Sequence, residues 1–121
     1  RIFAGDLKNF CSDCMCAVGT PQRHADLVGD LLVMADLRGH YSHGVNRLEM
    51  YVNEVQTGLC DAKGVPHVLH DFGAVAKVDG NNSLGVVVGE FCLDLALKKA
   101  KQFGIGWVVA KGMPSVLCPH N

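Results

Sequence analysis

Two histidines, two arginines and a serine crowd into one short stretch of this 121-residue chain, Asp36-Leu-Arg-Gly-His-Tyr-Ser-His-Gly-Val-Asn-Arg-Leu-Glu-Met-Tyr51. An imidazole exchanges a proton near neutral pH, and a guanidinium grips a carboxylate through two parallel hydrogen bonds. Together they suit a reaction at a hydroxyl or carbonyl group next to a carboxylate. His43 and Arg47 stand four apart, which on a helix places both side chains on one face. The sequence supplies the signals for such a helix over 42–57. Ser42 reads as its N-cap, Val45, Leu48, Val52 and Val55 recur at helical spacing, and Gly58 follows the end. Gly39 and Gly44 allow tight backbone there. From the residues alone, plainer readings stay open. His43 can be a structural hydrogen-bonding histidine, Arg47 an ordinary surface arginine, and Ser42 a cap that also touches substrate, because a helix N-terminus attracts anions. His40 and Arg38 read as loop-ordering groups.

The elements that must hold this stretch are legible around it. A first helix is expected over 6–18, with Asp6 as N-cap and Gly19 ending it. A second is expected over 21–37, with Thr20 as cap, Pro21 at the first helical position, and Ala25, Val28, Leu31, Leu32 and Ala35 on one face. After the polar connection 60–66 the pattern changes. Strands are expected over 67–71 and 74–79, the cluster Asp79-Gly80-Asn81-Asn82 reads as a turn, and a helix is expected over 84–103. That helix carries Val88, Phe91, Cys92 and Leu95 as an apolar stripe, with Lys98, Lys99 and Lys101 on a solvated C-terminal end that they complement electrostatically. A buried strand over 105–110 completes a strand, strand, helix, strand order. The fold class is therefore α/β: an N-terminal three-helix region, 1–60, followed by the start of a mixed α/β sheet domain, 61–112, and a tail, 113–121. The tail, with two prolines, is expected to lack regular structure.

Composition narrows the function classes. Nearly half the residues are hydrophobic, about a fifth are charged and the net charge is −1, the balance of an ordinary soluble globular protein. No basic patch calls for nucleic acid, and no apolar run calls for a membrane or a signal peptide. A cytoplasmic location is the expectation. The six cysteines include Cys11, Cys14 and Cys16, yet no second ligand pair completes a zinc site, so free thiols are expected and no metal. His24, His67 and His70 read as solvated positions. Gly85 and Gly89 do not form the Gly-x-Gly-x-x-Gly turn of a Rossmann dinucleotide site.

The run Asp36-Leu-Arg-Gly-His-Tyr-Ser-His-Gly-Val-Asn-Arg47 resembles the signature of the non-Rossmann malate/L-lactate dehydrogenase family. Tyr51 followed by Gly58, Val78-Asp79-Gly80, Leu84-Gly85, the alanines and lysines of 96–101, and Gly104-Ile-Gly-Trp-Val-Val109 follow in the family's order. The resemblance covers about 7–112. Beyond it the chain departs from the family pattern and stops, so the fold is expected to be a truncated form of that family's, covering its N-terminal portion. The resemblance implies hydride transfer between NAD or NADP and a small 2-hydroxy or 2-keto acid. In it His43 is the proton donor and acceptor, and Arg47 and Ser42 bind substrate. It also implies a homodimer for the full-length protein and a cofactor site lying mostly outside this chain. A catalytically inactive remnant acting only as an interaction module is the alternative.

Overall fold

The computed structural model describes residues 1–114, and the chain divides into two compact units, Arg1–Lys63 and Gly64–Asn121. The first unit is helical: α1 (Ala4–Ala17), α2 (Gln22–Leu37) and α3 (Leu48–Gln56). Its core takes Cys11 and Met15 from α1, Ala25, Val28, Leu32 and Val33 from α2, and Leu48 and Tyr51 from α3. Burying a leucine or methionine of this kind contributes about 1.5–3 kcal/mol, so these few side chains dominate the packing of the unit. Helices α1 and α2 approach closely, because Gly29 leaves its face open to the Lys8 carbonyl, where a Cβ would lie 2.8 Å away. A polar cluster locks the same pair: Ser12 Oγ donates to Asp26 Oδ1 at 2.6 Å, and Gln22 Nε2 donates to both, at 3.0 and 2.8 Å.

Several expected caps are placed differently. Asp6 lies inside the first turn of α1 with Phe3 at the cap position, and Pro21 caps α2 instead of beginning it. Thr20 Oγ1 is buried with no hydrogen-bond partner among the described residues, and it does not cap α2. His24, expected in solvent, is half-buried, and its Nδ1 lies 2.9 Å from the Ala62 carbonyl oxygen, tying the connection after α3 back to α2. Cys11, Cys14, Cys16, Cys60 and Cys92 are free thiols, with Cys11 and Cys60 buried.

In the second unit a hairpin of β1 (His67–Phe72) and β2 (Val75–Asp79) is followed by α4 (Gly85–Phe103) and β3 (Trp107–Lys111). The sheet order is β1-β2-β3, with β1 antiparallel and β3 parallel to β2. The parallel pairing requires a crossover, and α4 provides it. Ala76, Val78, Leu84, Val87 and Val88 form the core. The turn after β2 passes through Asn81 and Asn82 at φ 51° and 55°, a region asparagine tolerates, and Asp79 Oδ1 accepts the Asn81 N–H at 2.9 Å.

Two expectations fail here for identifiable reasons. Lys99 is not solvated: it is 5% exposed and donates to Asp71 Oδ1 and, at 2.8 Å, to the Gly73 carbonyl. Its position on α4 carries it towards the hairpin turn instead of the helix end. Strand β3 is not buried on both sides either, since Trp107 and Val109 are 63% and 48% exposed. An all-apolar strand implies two covered faces, but the described residues of this unit cover only one. Phe72 and Val75 stand on that same uncovered face, since Phe72 pairs with Val75 and Val75 with Trp107. Among the described residues no helix is long and apolar enough to cross a membrane. The expectation for the tail lies, beyond Pro114, outside the described residues.

Candidate active-site loop

The chain leaves α2 through a tight C-terminal closure in which the His40 N–H donates to the Ala35 carbonyl at 2.9 Å and the Gly39 N–H to the Asp36 carbonyl at 3.0 Å. This closure needs a left-handed residue at position 39, and Gly39 supplies it at φ 82°. Two 3₁₀ turns follow, Tyr41–His43 and Val45–Arg47, separated by Gly44 at φ −93° and ψ −149°. The continuous helix expected over 42–57 is therefore absent. Helix α3 begins only at Leu48, so His43 and Arg47 do not share a helical face. A 3₁₀ turn holds three residues per turn, and the extended Gly44 between the two turns breaks the side-chain register entirely.

Ser42 does not cap a helix. The Val45 N–H, which opens the second turn, donates instead to Asp36 Oδ2 at 3.0 Å. The three residues singled out by the sequence nevertheless come together by another route. Ser42 Oγ is 2.7 Å from His43 Nδ1, and Arg47 Nε donates to the Ser42 carbonyl at 2.7 Å. Ser42 is exposed, while His43 and Arg47 are half-buried. Among the described residues, His43 Nε2 and the two terminal guanidinium nitrogens of Arg47 make no hydrogen bond. Arg38 and His40 are exposed, and among the described residues neither side chain makes a bond that orders the loop.

The chemistry open to this arrangement follows from the hydroxyl. Ser42 can donate to an unprotonated Nδ1 or accept from a protonated one, so it holds the ring through a change of protonation at Nε2. Arg47, with Nε committed to the backbone, keeps its two terminal nitrogens for another acceptor. Behind them Tyr51 is 3% exposed, and burial pushes its hydroxyl up to about 12 against a smaller opposing effect of the Arg47 charge. It is a neutral phenol at ordinary pH. Arg47 also borders an open groove of about 450 Å³ along α3, lined by Asn46, Glu49, Met50, Asn53 and Glu54 among others, and neither Ser42 nor His43 lines it.

Sequence reasoning missed Asp36 and Tyr51. Asp36 stood inside the stretch, but capping rules pair a cap with N–H groups two or three residues ahead, whereas this carboxylate reaches nine. Tyr51 stood among the residues that carry the family resemblance, but with no role in the site.

A small α/β chain with a hydroxyl, an imidazole and a guanidinium bonded along one loop has the parts for acid–base work on a small anion. Comparison with known proteins then supplies the family: residues 2–117 match the model of the malate/L-lactate dehydrogenase family, and the chain belongs to it. It is 42% identical over 111 residues to a malate dehydrogenase of Pyrococcus horikoshii, an alignment covering 92% of this chain and 31% of that protein. It is 35% identical over 104 residues to an L-sulfolactate dehydrogenase of Methanocaldococcus jannaschii, covering 86% and 30%. The solved structure of the Pyrococcus horikoshii malate dehydrogenase superposes with a TM-score of 0.90 at 40% identity, over 93% of this chain and 32% of that one. The chain thus spans about a third of the length of the relatives it matches, and the α/β architecture is theirs.

Proposed function

We propose that this chain contributes the proton-transfer and carboxylate-binding groups of an NAD(P)-dependent oxidoreductase that interconverts a 2-hydroxy acid and a 2-keto acid. The observation that supports this reading above others is the bonded series Arg47, Ser42, His43, with His43 Nε2 and the end of the guanidinium left open. In the oxidation His43 accepts the substrate hydroxyl proton at Nε2. In the reduction it returns that proton to the carbonyl oxygen. Arg47 holds the adjacent carboxylate, fixing the reacting carbon relative to the ring. Ser42 keeps the ring in place throughout and lies close enough to the same anion to touch it.

Two places on the described residues, the turn from β2 into α4 and the groove along α3, do not fit a dinucleotide. The turn from β2 into α4 has its glycine, Gly80, filled in by Met113, Gly112 and Val88, and it carries the Asp79 carboxylate, which would repel a pyrophosphate. The groove along α3 carries Glu49 and Glu54. No step is therefore assigned to the cofactor on these residues. Homodimer formation belongs to the same reading and rests on the family resemblance, whereas the cytoplasmic location rests on composition alone.

The test is a graft in which residues 2–114 replace the matched third of the Pyrococcus horikoshii malate dehydrogenase, assayed by nicotinamide absorbance with a series of 2-keto acids. We expect turnover in the graft and none from the 121-residue chain alone. His43→Ala in the graft should lower kcat by about 10² to 10⁴, the usual worth of a positioned acid or base. A graft that folds and turns over equally well with alanine at 43 would overturn the assignment. A folded graft with no turnover would favour the interaction-module reading, which draws on the uncovered apolar sheet face.

A further inference from the structure

Asp36 sits in the last turn of α2, where the helix dipole disfavours a negative charge. Its backbone is fixed there, because its carbonyl accepts the Gly39 N–H that closes the helix. Its side chain then crosses the loop. Oδ2 accepts the Val45 N–H at 3.0 Å, and Oδ1 lies against Gly44 so closely that any Cβ at position 44 would overlap the carboxylate. Gly44 has a negative φ that other residues can adopt. A side chain at 44 would therefore push the Asp36 carboxylate off its place, and the two residues form one device.

We propose that Asp36 is a positioning residue, acting with Gly44 as a clamp that sets where His43 and Arg47 stand relative to each other. The importance given to that pair rests on the function proposed above; the clamp itself does not. The fastened point is Gly44, which separates the turn ending in His43 from the turn ending in Arg47, together with Val45, which opens the second. Fastening it from outside fixes both turns at once. The clamp also takes over the capping that Ser42 would otherwise perform. With that N–H taken by Asp36, the Ser42 hydroxyl faces the His43 imidazole, 2.7 Å from Nδ1.

The experiment uses the full 121-residue chain and needs no enzyme assay, so its failure is separate from a failure of the proposed function. In the wild type, a long-range triple-resonance NMR spectrum should show scalar coupling across the hydrogen bond from the Val45 amide nitrogen to the Asp36 side-chain carboxyl carbon. Absence of that signal where the helical hydrogen bonds of α2 give theirs would overturn the proposal without any variant. Asp36→Ala should abolish the slowed exchange of the Val45 amide and change the His43 ring nitrogen shifts, which report the bond at Nδ1, while α1 and α2 amide signals persist. Asp36→Asn, whose carboxamide oxygen still accepts, should restore both readouts. Gly44→Ala should reproduce the alanine result at 36. A His43 ring spectrum identical in wild type, Asp36→Ala and Gly44→Ala would show that Asp36 positions nothing.

Discussion

The loop 38–47 and the turn of the hairpin 67–79 are each held by one charged side chain from a helix, and they are held in opposite ways. Asp36 reaches a backbone N–H and leaves an exposed hydroxyl, a half-buried imidazole and a half-buried guanidinium at the surface. Lys99 reaches the carbonyl of Gly73 and the carboxylate of Asp71, and it is itself the buried partner, its side chain 6% exposed against 59% for Asp71. The first clamp arranges groups that remain available to a ligand. The second uses up its own charge in fixing a turn. A charged residue inside a fold thus points to function only when what it holds stays open.

The sharpest break between the two clamps is in stability. Removing the exposed member of the Lys99 pair, by Asp71→Ala, leaves a buried ammonium with one carbonyl for company and should cost about 3 kcal/mol. Lys99→Met leaves a carboxylate that water already reaches and fills the space with apolar atoms, so it should cost less than about 1.5 kcal/mol. Native-state hydrogen exchange of the Val75–Asp79 amides measures both. Equal costs would mean that the ion pair is worth no more than its packing and that the comparison with Asp36 fails.

Alkaline titration separates the two units by the buried acids each holds. Folding holds Tyr51 at about 12 and Cys60 at about 11, both raised by burial, and both lie in the first unit. A group raised by folding stabilises fully below its unfolded value and loses that contribution as pH rises towards the folded one. The first unit should therefore weaken between about pH 9 and pH 12, by on the order of 2 kcal/mol for each group. Tyr51→Phe should remove the upper part of that loss. Amide exchange of α3 against pH reads it directly, and an α3 as stable at pH 11 as at pH 8 would contradict it.

Arg47 offers a smaller and more chemical contrast. In the grafted enzyme, Arg47→Lys keeps the charge but loses the fork that bonds Ser42 through Nε while offering two further donors to a carboxylate. The preference in kcat/KM for a keto acid over the matching keto amide should fall about tenfold, equivalent to about 1.4 kcal/mol. An undiminished preference would assign the carboxylate to another residue and leave Arg47 as a brace for the loop.

What the sequence shows of this molecule divides along the same line. Helices α1, α2 and α4 and all three strands were legible within about two residues, because apolar period and terminating glycines such as Gly19 and Gly104 act locally. Ser42, His43 and Arg47 were legible as a group through residue type and resemblance, but the reason for their proximity was not. Spacing of four implied a helix, whereas the contact is made by Arg47 Nε folding back onto the Ser42 carbonyl across two 3₁₀ turns. The Asp36 and Lys99 clamps span nine and 28 residues, and their partners include backbone atoms, which carry no mark in sequence. The exposure of Trp107 was illegible for a related reason: a strand apolar on both faces says that covers exist, and the described residues supply one.

Acid should produce the smallest difference between the two units, through one carboxylate in each. Asp26 is held below the usual carboxylate range mainly by the Ser12 hydroxyl and then by Gln22, and Asp79 mainly by the Asn81 N–H, with Lys111 adding a weaker pull. A carboxyl lowered by folding stabilises the fold above its unfolded value, near 3.8, and that contribution is lost as pH falls through the lower folded value. Both units should therefore weaken below about pH 4, each by little, because water screens these groups. The two losses have different consequences. Protonating Asp26 loosens a side-chain network between α1 and α2, helices that Met15, Val28 and Leu32 still hold together. Protonating Asp79 frees the Asn81 N–H at a left-handed turn, whose strain then lacks its partner. Thermal unfolding followed between pH 5 and pH 2.5 should show Asp79→Asn flattening the acid response of the second unit more than Asp26→Asn flattens that of the first. Equal flattening would mean that the turn strain at Asn81 and Asn82 is carried by the Gly80 and Asn82 bonds to the end of β3 and not by Asp79.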